Sequence, residues 1–463
     1  GYVGATVGGA DGMVTAANIV MGIDARSPEG VLRLNAGSSA ADDNEFSGTT
    51  TVVEGTLIVN GILTDSAGGT GADVVVQSGG VLGGGNGTIA GTINADISVQ
   101  SGGILDPGDT SSGCTPLPGQ LTVNGDLTMV IGSTLRVQLN GLTAGSQYDQ
   151  LVLNMTGDTL DIGGGDFGNP NAGANLDVTA GYAMPVGAEH TIIVYQPNPF
   201  DLIDQRFRDS NNAGATLDEG DFFSSGGTSN LLNISYYTKS ENNDVTLTHP
   251  GRYDFDGYHG YTETNYEGIS PFTLKTGANS AGWQTLPPQY FERQYTPVPP
   301  CTAIPEPLLR LDGHSTDNVG TPLTFEVDVV AGKAYEVMIL TGDSVWNHDR
   351  EQFTVSDPNN VGGSPSTQTV STWGAGALDG SGVVVTSGGG ITTSCPGYYR
   401  WVRLTTGVIV DAAPLDSLGT ILMTMQDLGG YDPATVILAM DIRPVETVGE
   451  LVLERTLSSG SGA

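Results

Sequence analysis

Positive charge is scarce in this sequence. Of 463 residues only 16 are Lys or Arg, against 51 Asp or Glu, for a formal net charge of −35. A field of that sign repels phosphate backbones, which excludes nucleic acid as a partner, and it disfavours anionic membrane surfaces. Long apolar runs are missing too: no stretch reaches 18 residues, so no transmembrane helix is expected and membrane insertion is not part of the reading. Cysteine is limited to Cys114, Cys301 and Cys395, with no Cys-x-x-Cys or Cys/His spacing of a zinc site. Charged residues make up 14% and hydrophobic residues 38%, a balance too apolar for a disordered acidic chain. No basic-then-apolar leader opens the sequence at Gly1, so the expectation is a mature secreted or surface chain from which a targeting segment has been removed.

Glycine (69) and proline (24) are abundant, and Thr, Ser, Asn and Val surround them, a composition of short strands and tight turns. From Val31 onward, β-rich phrases such as Thr56–Asn60, Val74–Gln77, Ile97–Gln100, Gln120–Asn124 and Leu135–Leu139 alternate with Gly turns. The phrases recur. Val-Val-Val-Gln-Ser-Gly-Gly-Val-Leu at 74–82 returns as Ile-Ser-Val-Gln-Ser-Gly-Gly-Ile-Leu at 97–105, an offset of 23, and Val-Asn-Gly at 59–61 returns at 123–125. A repeat near 20–25 residues is the signature of a β-solenoid. At that period 31–250 would make about ten coils, a rod near 45–50 Å at the usual strand spacing, with Leu57, Val59, Val75, Val99, Leu121 and Val123 pointing inward.

Phe46–Gly61, with Gln77–Gly84, Ile104-Leu105-Asp106-Pro107-Gly108, Leu121–Leu127 and Tyr148–Leu153, resembles the autotransporter-associated β-strand repeat. The resemblance implies a right-handed parallel β-helix over about 31–250 on a bacterial secreted or surface-displayed protein. Unlike members of that family, the chain is not expected to carry a membrane barrel.

Near His249-Pro250-Gly251 aromatics become frequent, prolines cluster at 297–307, and alternating runs follow at Leu323–Val329, Tyr335–Leu340 and Val436–Ile442, the pattern of an antiparallel β-sandwich. The order Arg252–Asp256, Ala281-Gly282-Trp283, Leu323–Val329, Gly332–Val337, Thr341-Gly342-Asp343 and Ala439–Pro444 resembles galactose-binding-like or malectin-like jelly-roll modules over about 251–446. Such modules accompany polysaccharide lyases and esterases and large bacterial surface proteins.

Catalysis finds little support. A β-helical lyase needs a basic catalytic residue, yet Arg136 is the only Lys or Arg between residues 34 and 205. Gly342-Asp343-Ser344 near His348 and Asp349 lacks the Gly-x-Ser-x-Gly elbow of a hydrolase and reads as a turn. No two of His190, His249, His259, His314 and His348 have metal-helix spacing. The metal that suits the chain is Ca2+. Asp42-Asp43-Asn44-Glu45, Asp158/Asp161/Asp166 and Asp254-x-Asp256 offer hard oxygen ligands, although the same residues also build ordinary turns. Asp42, Asp43, Glu45, Asp254 and Asp256 are the candidate ligands. Trp283, Trp346, Trp373 and Trp401 are candidates for stacking on sugars or for core. Cys301 and Cys395 fall in one region and are the expected disulfide, against three buried thiols; Cys114 stands apart.

The expected organisation is an N-terminal assembly segment (1–30), a β-helix (31–250), a sandwich (251–446) and a C-terminal strand or tail (447–463). The expected function is a non-enzymatic extracellular subunit of a filament, sheath or surface layer, whose partners are other copies of itself. Gly1, Tyr2, Val3 and Val7, or Leu451 and Leu453, would be donated to a neighbour, the N-terminal set being favoured. The alternatives are a monomeric adhesin that binds polysaccharide through the sandwich, and an accessory protein of a lyase or esterase. No cofactor is required.

Overall fold

The computed structural model describes residues 2–3, 19–22, 30–34, 44–46, 49–65, 73–109, 117–154, 159–163, 173–195, 205–211, 214–227, 230–236, 244–256, 262–292, 312–316, 319–342, 348, 350–360, 362–372, 391–392, 399–411, 417–429 and 434–445. The described chain is all β, with no helix. None of its elements is a helix long and apolar enough to cross a membrane.

From residue 19 to about 209 the chain visits three sheets in rotation. Gly55–Val59 lies in the first, Ile62–Asp65 in the second and Val74–Val76 in the third; Gly80–Gly84 then returns to the first, parallel to Gly55–Val59. The parallel register stacks like on like. Leu32, Leu57, Leu82, Leu105, Leu135 and Leu176 form one inward column of the first sheet. Leu63, Ile93, Val123 and Leu153 form one in the second, and Val52, Val76, Val99 and Met129 one in the third. Apart from Leu32, which is partly buried, all of these lie in one buried cluster. Period-two alternation thus fills an interior, at about 1.5–3 kcal/mol for each large apolar side chain removed from water. Val75, expected inside, faces outward, because Val74 and Val76 are the buried pair.

The Gln-Ser-Gly-Gly recurrence has a structural cause. Gly79, Gly102 and Gly132 stack at one corner, all with positive φ (91°, 80° and 83°). The Gly79 N–H donates to the Gly102 carbonyl (3.0 Å) and the Gly102 N–H to the Gly132 carbonyl (2.8 Å). An L side chain would strain that conformation. The Val-Asn-Gly recurrence has no such basis: Val59 ends a strand of the first sheet and Val123 a strand of the second.

The first circuits keep to the expected 20–25 residues, and the later ones are longer. The step from Val81 to Ile104 is 23 residues, but Ile104 to Thr134 takes 30 and Thr134 to Asn175 takes 41, because loops swell between strands that stay in register. Among the described residues seven strands therefore line up in the first sheet, from Val31–Leu34 to Arg208–Asp209, in place of about ten coils. Their stack is roughly 30 Å tall. The parallel order also begins earlier and ends earlier than expected. Ile19–Gly22 pairs with Thr50–Val52, while Val245–Thr248, Leu231–Ser235 and Phe222–Ser224 form an antiparallel layer on Glu189–Tyr195.

The second body is two mainly antiparallel sheets around one core. The five-stranded sheet runs Ala281–Trp283, Leu323–Val330, Leu418–Asp427, Glu351–Ser356, Ser366–Val370. The six-stranded sheet runs Glu267–Gly268, Arg252–Asp254, Ala439–Val445, Ala334–Gly342, Tyr399–Val408, Ile391–Thr392. Phe325 packs edge to face with Phe255 and Trp283 at its centre, and those two rings are tilted to one another, with ring centroids 5.0–5.6 Å apart. Val186, from the first body, joins this core. The Val186 N–H donates to the Asp328 carbonyl (2.9 Å), the Val330 N–H to the Val186 carbonyl (3.0 Å), and Lys333 Nζ reaches Glu189 Oε1 (2.9 Å). The two bodies share a hydrogen-bonded seam.

Candidate metal centre

Three carboxylates converge where the second body begins. Asp254 ends the strand Arg252–Asp254, which is wedged between Glu267–Gly268 and Ala439–Val445. Asp256 follows it by two residues, and Asp312 opens the strand Asp312–Ser315, every residue of which is buried. One carboxylate oxygen from each lies within 4.8 Å of the others. The spacing Asp254-x-Asp256 brought the first two together as expected. Asp312 lies too far away in sequence for any short motif to have found it; the one trace is that its strand, Asp-Gly-His-Ser, is polar and yet buried.

Asp254 and Asp256 are each half satisfied. Asp254 Oδ2 accepts the Glu263 N–H (2.7 Å) and Asp256 Oδ2 accepts the Thr262 hydroxyl (2.6 Å). Asp254 Oδ1 and Asp256 Oδ1 are buried without a hydrogen-bond partner. Orphaned buried carboxylate oxygens are costly and call for a proton or a cation. Burial, reinforced by the charges of Asp256, Asp312 and Glu263, pushes the Asp254 carboxyl up to about 9 despite the opposing Glu263 hydrogen bond. Burial likewise raises Asp256. A donor set of carboxylate oxygens alone suits a hard divalent ion such as Ca2+, completed by carbonyls and water.

The cluster is braced from behind. Trp283 Nε1–H donates to His314 Nδ1 (2.9 Å), so the other ring nitrogen carries the proton and donates to the Asp256 carbonyl (2.8 Å). Burial lowers His314 to about 4, keeping it neutral. Gly268 is required for close approach: a Cβ there would sit 2.2 Å from Asp256 Oδ2 and 2.4 Å from Thr262 Oγ1.

The other sequence candidates separate. Asp42 and Asp43 lie outside the described residues, and Glu45 lies in the strand Asn44–Phe46 with its side chain outside them. Asp161 Oδ1 caps a turn by accepting the Gly163 N–H (2.9 Å), while Asp158 and Asp166 lie outside. Cys114, Cys301 and Cys395, Ser344, His259, Asp349, Trp346 and Trp373 all lie outside the described residues. So do Gly1, Val7, Leu451 and Leu453. Tyr2 and Val3 pair with Gly22 and Met21 of their own chain, and that strand pairs with Thr50–Val52. Trp283 is core and no sugar platform. Arg136 lies between Asp106 Oδ2 (3.3 Å) and Asp177 Oδ2 (3.6 Å), a charge already engaged.

No family model matches the sequence. No curated protein matches it either. Among solved structures, the ANX1 ectodomain of Arabidopsis thaliana aligns over 45% of this chain and 58% of its own, at 8% identity and a TM-score of 0.25. The ANXUR2 extracellular domain of the same plant aligns over the same shares, at 10% identity and a TM-score of 0.24. The enzymatically active domain of bacteriophage CBA120 tailspike protein 4 aligns over 87% of this chain and 44% of its own, at 10% identity and a TM-score of 0.17. The chain thus spans little more than half the length of the plant ectodomains.

Proposed function

We propose that the chain is a non-enzymatic extracellular structural protein, a subunit of a filament, sheath or surface layer that assembles head to tail. Its first body is read as a right-handed parallel β-helix of the autotransporter-repeat type and its second as a galactose-binding-like or malectin-like jelly-roll. One observation carries the reading: the two ends of the parallel stack differ. The later end is covered by the antiparallel strands 222–248 and by the seam to the second body. At the earlier end, Val31–Leu34 and Asn44–Phe46 are the last strands of their sheets among the described residues, and Leu32 is only partly buried. An uncovered strand edge recruits further strands, and a contact between unlike ends propagates instead of closing. Ca2+ held by Asp254, Asp256 and Asp312 would stabilise the second body within such an array, where subunits of net charge −35 repel one another.

The test is microscopy and sizing of the native material beside a Leu32→Lys variant. Polymers are expected for the former and short or absent polymers for the variant. A native protein that stays monomeric at every concentration overturns the proposal.

A further inference from the structure

We propose that Asn86 is a modification site that carries an N-linked oligosaccharide. Asn86-Gly87-Thr88 is one of three Asn-x-Ser/Thr triplets in the chain, with Asn154-Met155-Thr156 and Asn233-Ile234-Ser235. Such triplets arise often by chance in a sequence rich in Asn, Ser and Thr, so geometry has to separate them. Asn86 lies in the turn between Gly80–Gly84 and Gly91–Asn94, where the circuit passes from the first sheet to the second. Gly87, Thr88, Ile89 and Ala90 are all exposed. The base of the turn is anchored, because the Gly85 N–H donates to Asn60 Oδ1 (3.1 Å).

The turn presents the carboxamide for transfer. Asn86 Oδ1 accepts the N–H of Thr88 (3.2 Å) and that of Ile89 (3.0 Å), an Asx turn that sets Thr88 beside the Asn86 side chain. Two donors on Oδ1 draw electron density towards the oxygen and make an Nδ2 proton easier to lose. Among the described residues nothing accepts a hydrogen bond from Nδ2. Gly87 has a φ of +75°, which an L side chain rarely adopts. A groove of about 200 Å3 runs beside the turn, lined by Gly87–Ala90, Gln120, Ala144 and Gly145, and leaves room for the first sugar ring. Asn233 is the counter-example. It sits in the strand Leu231–Ser235, its Nδ2 donates to the carbonyls of Gly220 (2.5 Å) and Asp221 (3.2 Å), and Ile234 is buried. Met155 and Thr156 lie outside the described residues. The donor is an oligosaccharide linked to a polyprenyl diphosphate. Nδ2 bonds to its anomeric carbon, the anomeric C–O bond breaks, and the polyprenyl diphosphate leaves with the electron pair. The Nδ2 proton passes to a base of the transferase, and nothing is oxidised or reduced. The product is a bulky polar chain on the surface of the stack.

The inference rests on the extracellular part of the reading above and not on assembly, so bare polymers and glycosylated monomers tell the two apart. Native material is digested and its peptides are mapped by tandem mass spectrometry. A sugar chain is expected on Asn86 and none on Asn233. Asn86→Gln and Thr88→Ala should each lose that chain, whereas Thr88→Ser keeps it. Thr88→Ala retains the backbone N–H that the turn uses, so it reads the hydroxyl and not the turn. The inference is overturned if Asn86 is bare in the native chain, if it carries only the mass change of deamidation, or if Thr88→Ala stays glycosylated there.

Discussion

Trp283 and His314 meet through a single buried hydrogen bond, indole Nε1–H to imidazole Nδ1 at 2.9 Å, and that bond fixes which ring nitrogen is left to hold the Asp256 carbonyl. Trp283→Phe keeps an aromatic ring in the core but leaves Nδ1 without its donor. A buried acceptor deprived of its partner costs about 1–3 kcal/mol. The variant should unfold at lower denaturant concentration by that amount. It should also bind Ca2+ more weakly, because the Asp256 backbone loses its brace. An unchanged unfolding midpoint would mean that the bond contributes nothing.

Calcium gives the second prediction. An ion that binds only the folded chain stabilises it by about 2.7 kcal/mol at one hundred times its dissociation constant. Added Ca2+ should raise Tm and chelation should lower it. Asp312→Asn, which removes one of the three converging carboxylates, should abolish most of the calcium-dependent increment while the chelated protein loses little. A calcium-independent Tm in the parent chain would leave protonation of Asp254 as the way the cluster is satisfied.

Much of this architecture was legible in the sequence, and the reasons are local. Leu57, Leu82 and Leu105 announce themselves because a parallel stack demands the same residue type at the same step, and Gly79 and Gly102 because the corner demands positive φ. The number of circuits was not legible. Register is set by strands alone, so the loops between Ile104, Thr134 and Asn175 could lengthen without leaving a mark on the pattern. Asp254 and Asp256 were readable as neighbours in sequence. Asp312 was not, since only the pairing of Asp312–Ser315 with Gln289–Glu292 and Val436–Ile437 sets its position. The antiparallel layer 222–248 escaped notice because its strands carry the same composition as the parallel ones.

His190 yields a pH prediction. It is buried, with Nε2 2.9 Å from the Tyr182 hydroxyl and 3.2 Å from the Gly141 carbonyl, and burial lowers it to about 4 from 6.5. The folded state holds it neutral while the unfolded chain takes up a proton below 6.5. Its contribution is therefore present above 6.5 and lost as the pH falls towards 4, by about 3 kcal/mol in all at 1.36 kcal/mol per unit. The measurement is unfolding free energy between those limits for the parent chain and for His190→Gln. The parent should lose stability more steeply on acidification. Parallel curves would show that the imidazole titrates alike in both states.

The stacked corner supplies a fourth test. At Gly102 a Cβ would lie 2.5 Å from Ser78 Oγ and 3.3 Å from Ser78 Cα, and φ is +80°. Gly102→Ala should therefore destabilise by about 1–3 kcal/mol through backbone strain and contact with the preceding circuit. Gly30→Ala, with nothing within 4 Å of its Cβ, should be nearly neutral. Equal effects of the two would contradict the stacking.

Arg136 carries the last prediction. It stands in register beside Asp177, and its guanidinium touches Asp106, whose side chain is wholly buried. Asp149 lies close enough for the Asp106 charge to help burial raise its carboxyl well above the usual range. This part of the stack thus gathers several acids around Arg136, the lone basic residue between 34 and 205. Arg136→Met keeps the apolar stem and removes the charge, leaving the Asp106 carboxylate without that partner at a cost of about 1–3 kcal/mol. Asp106→Asn in the same chain should recover a large part of the loss, because the buried negative charge goes with it. The double-mutant cycle on unfolding free energies decides the matter: purely additive effects would show that Arg136 and Asp106 are neighbours without coupling.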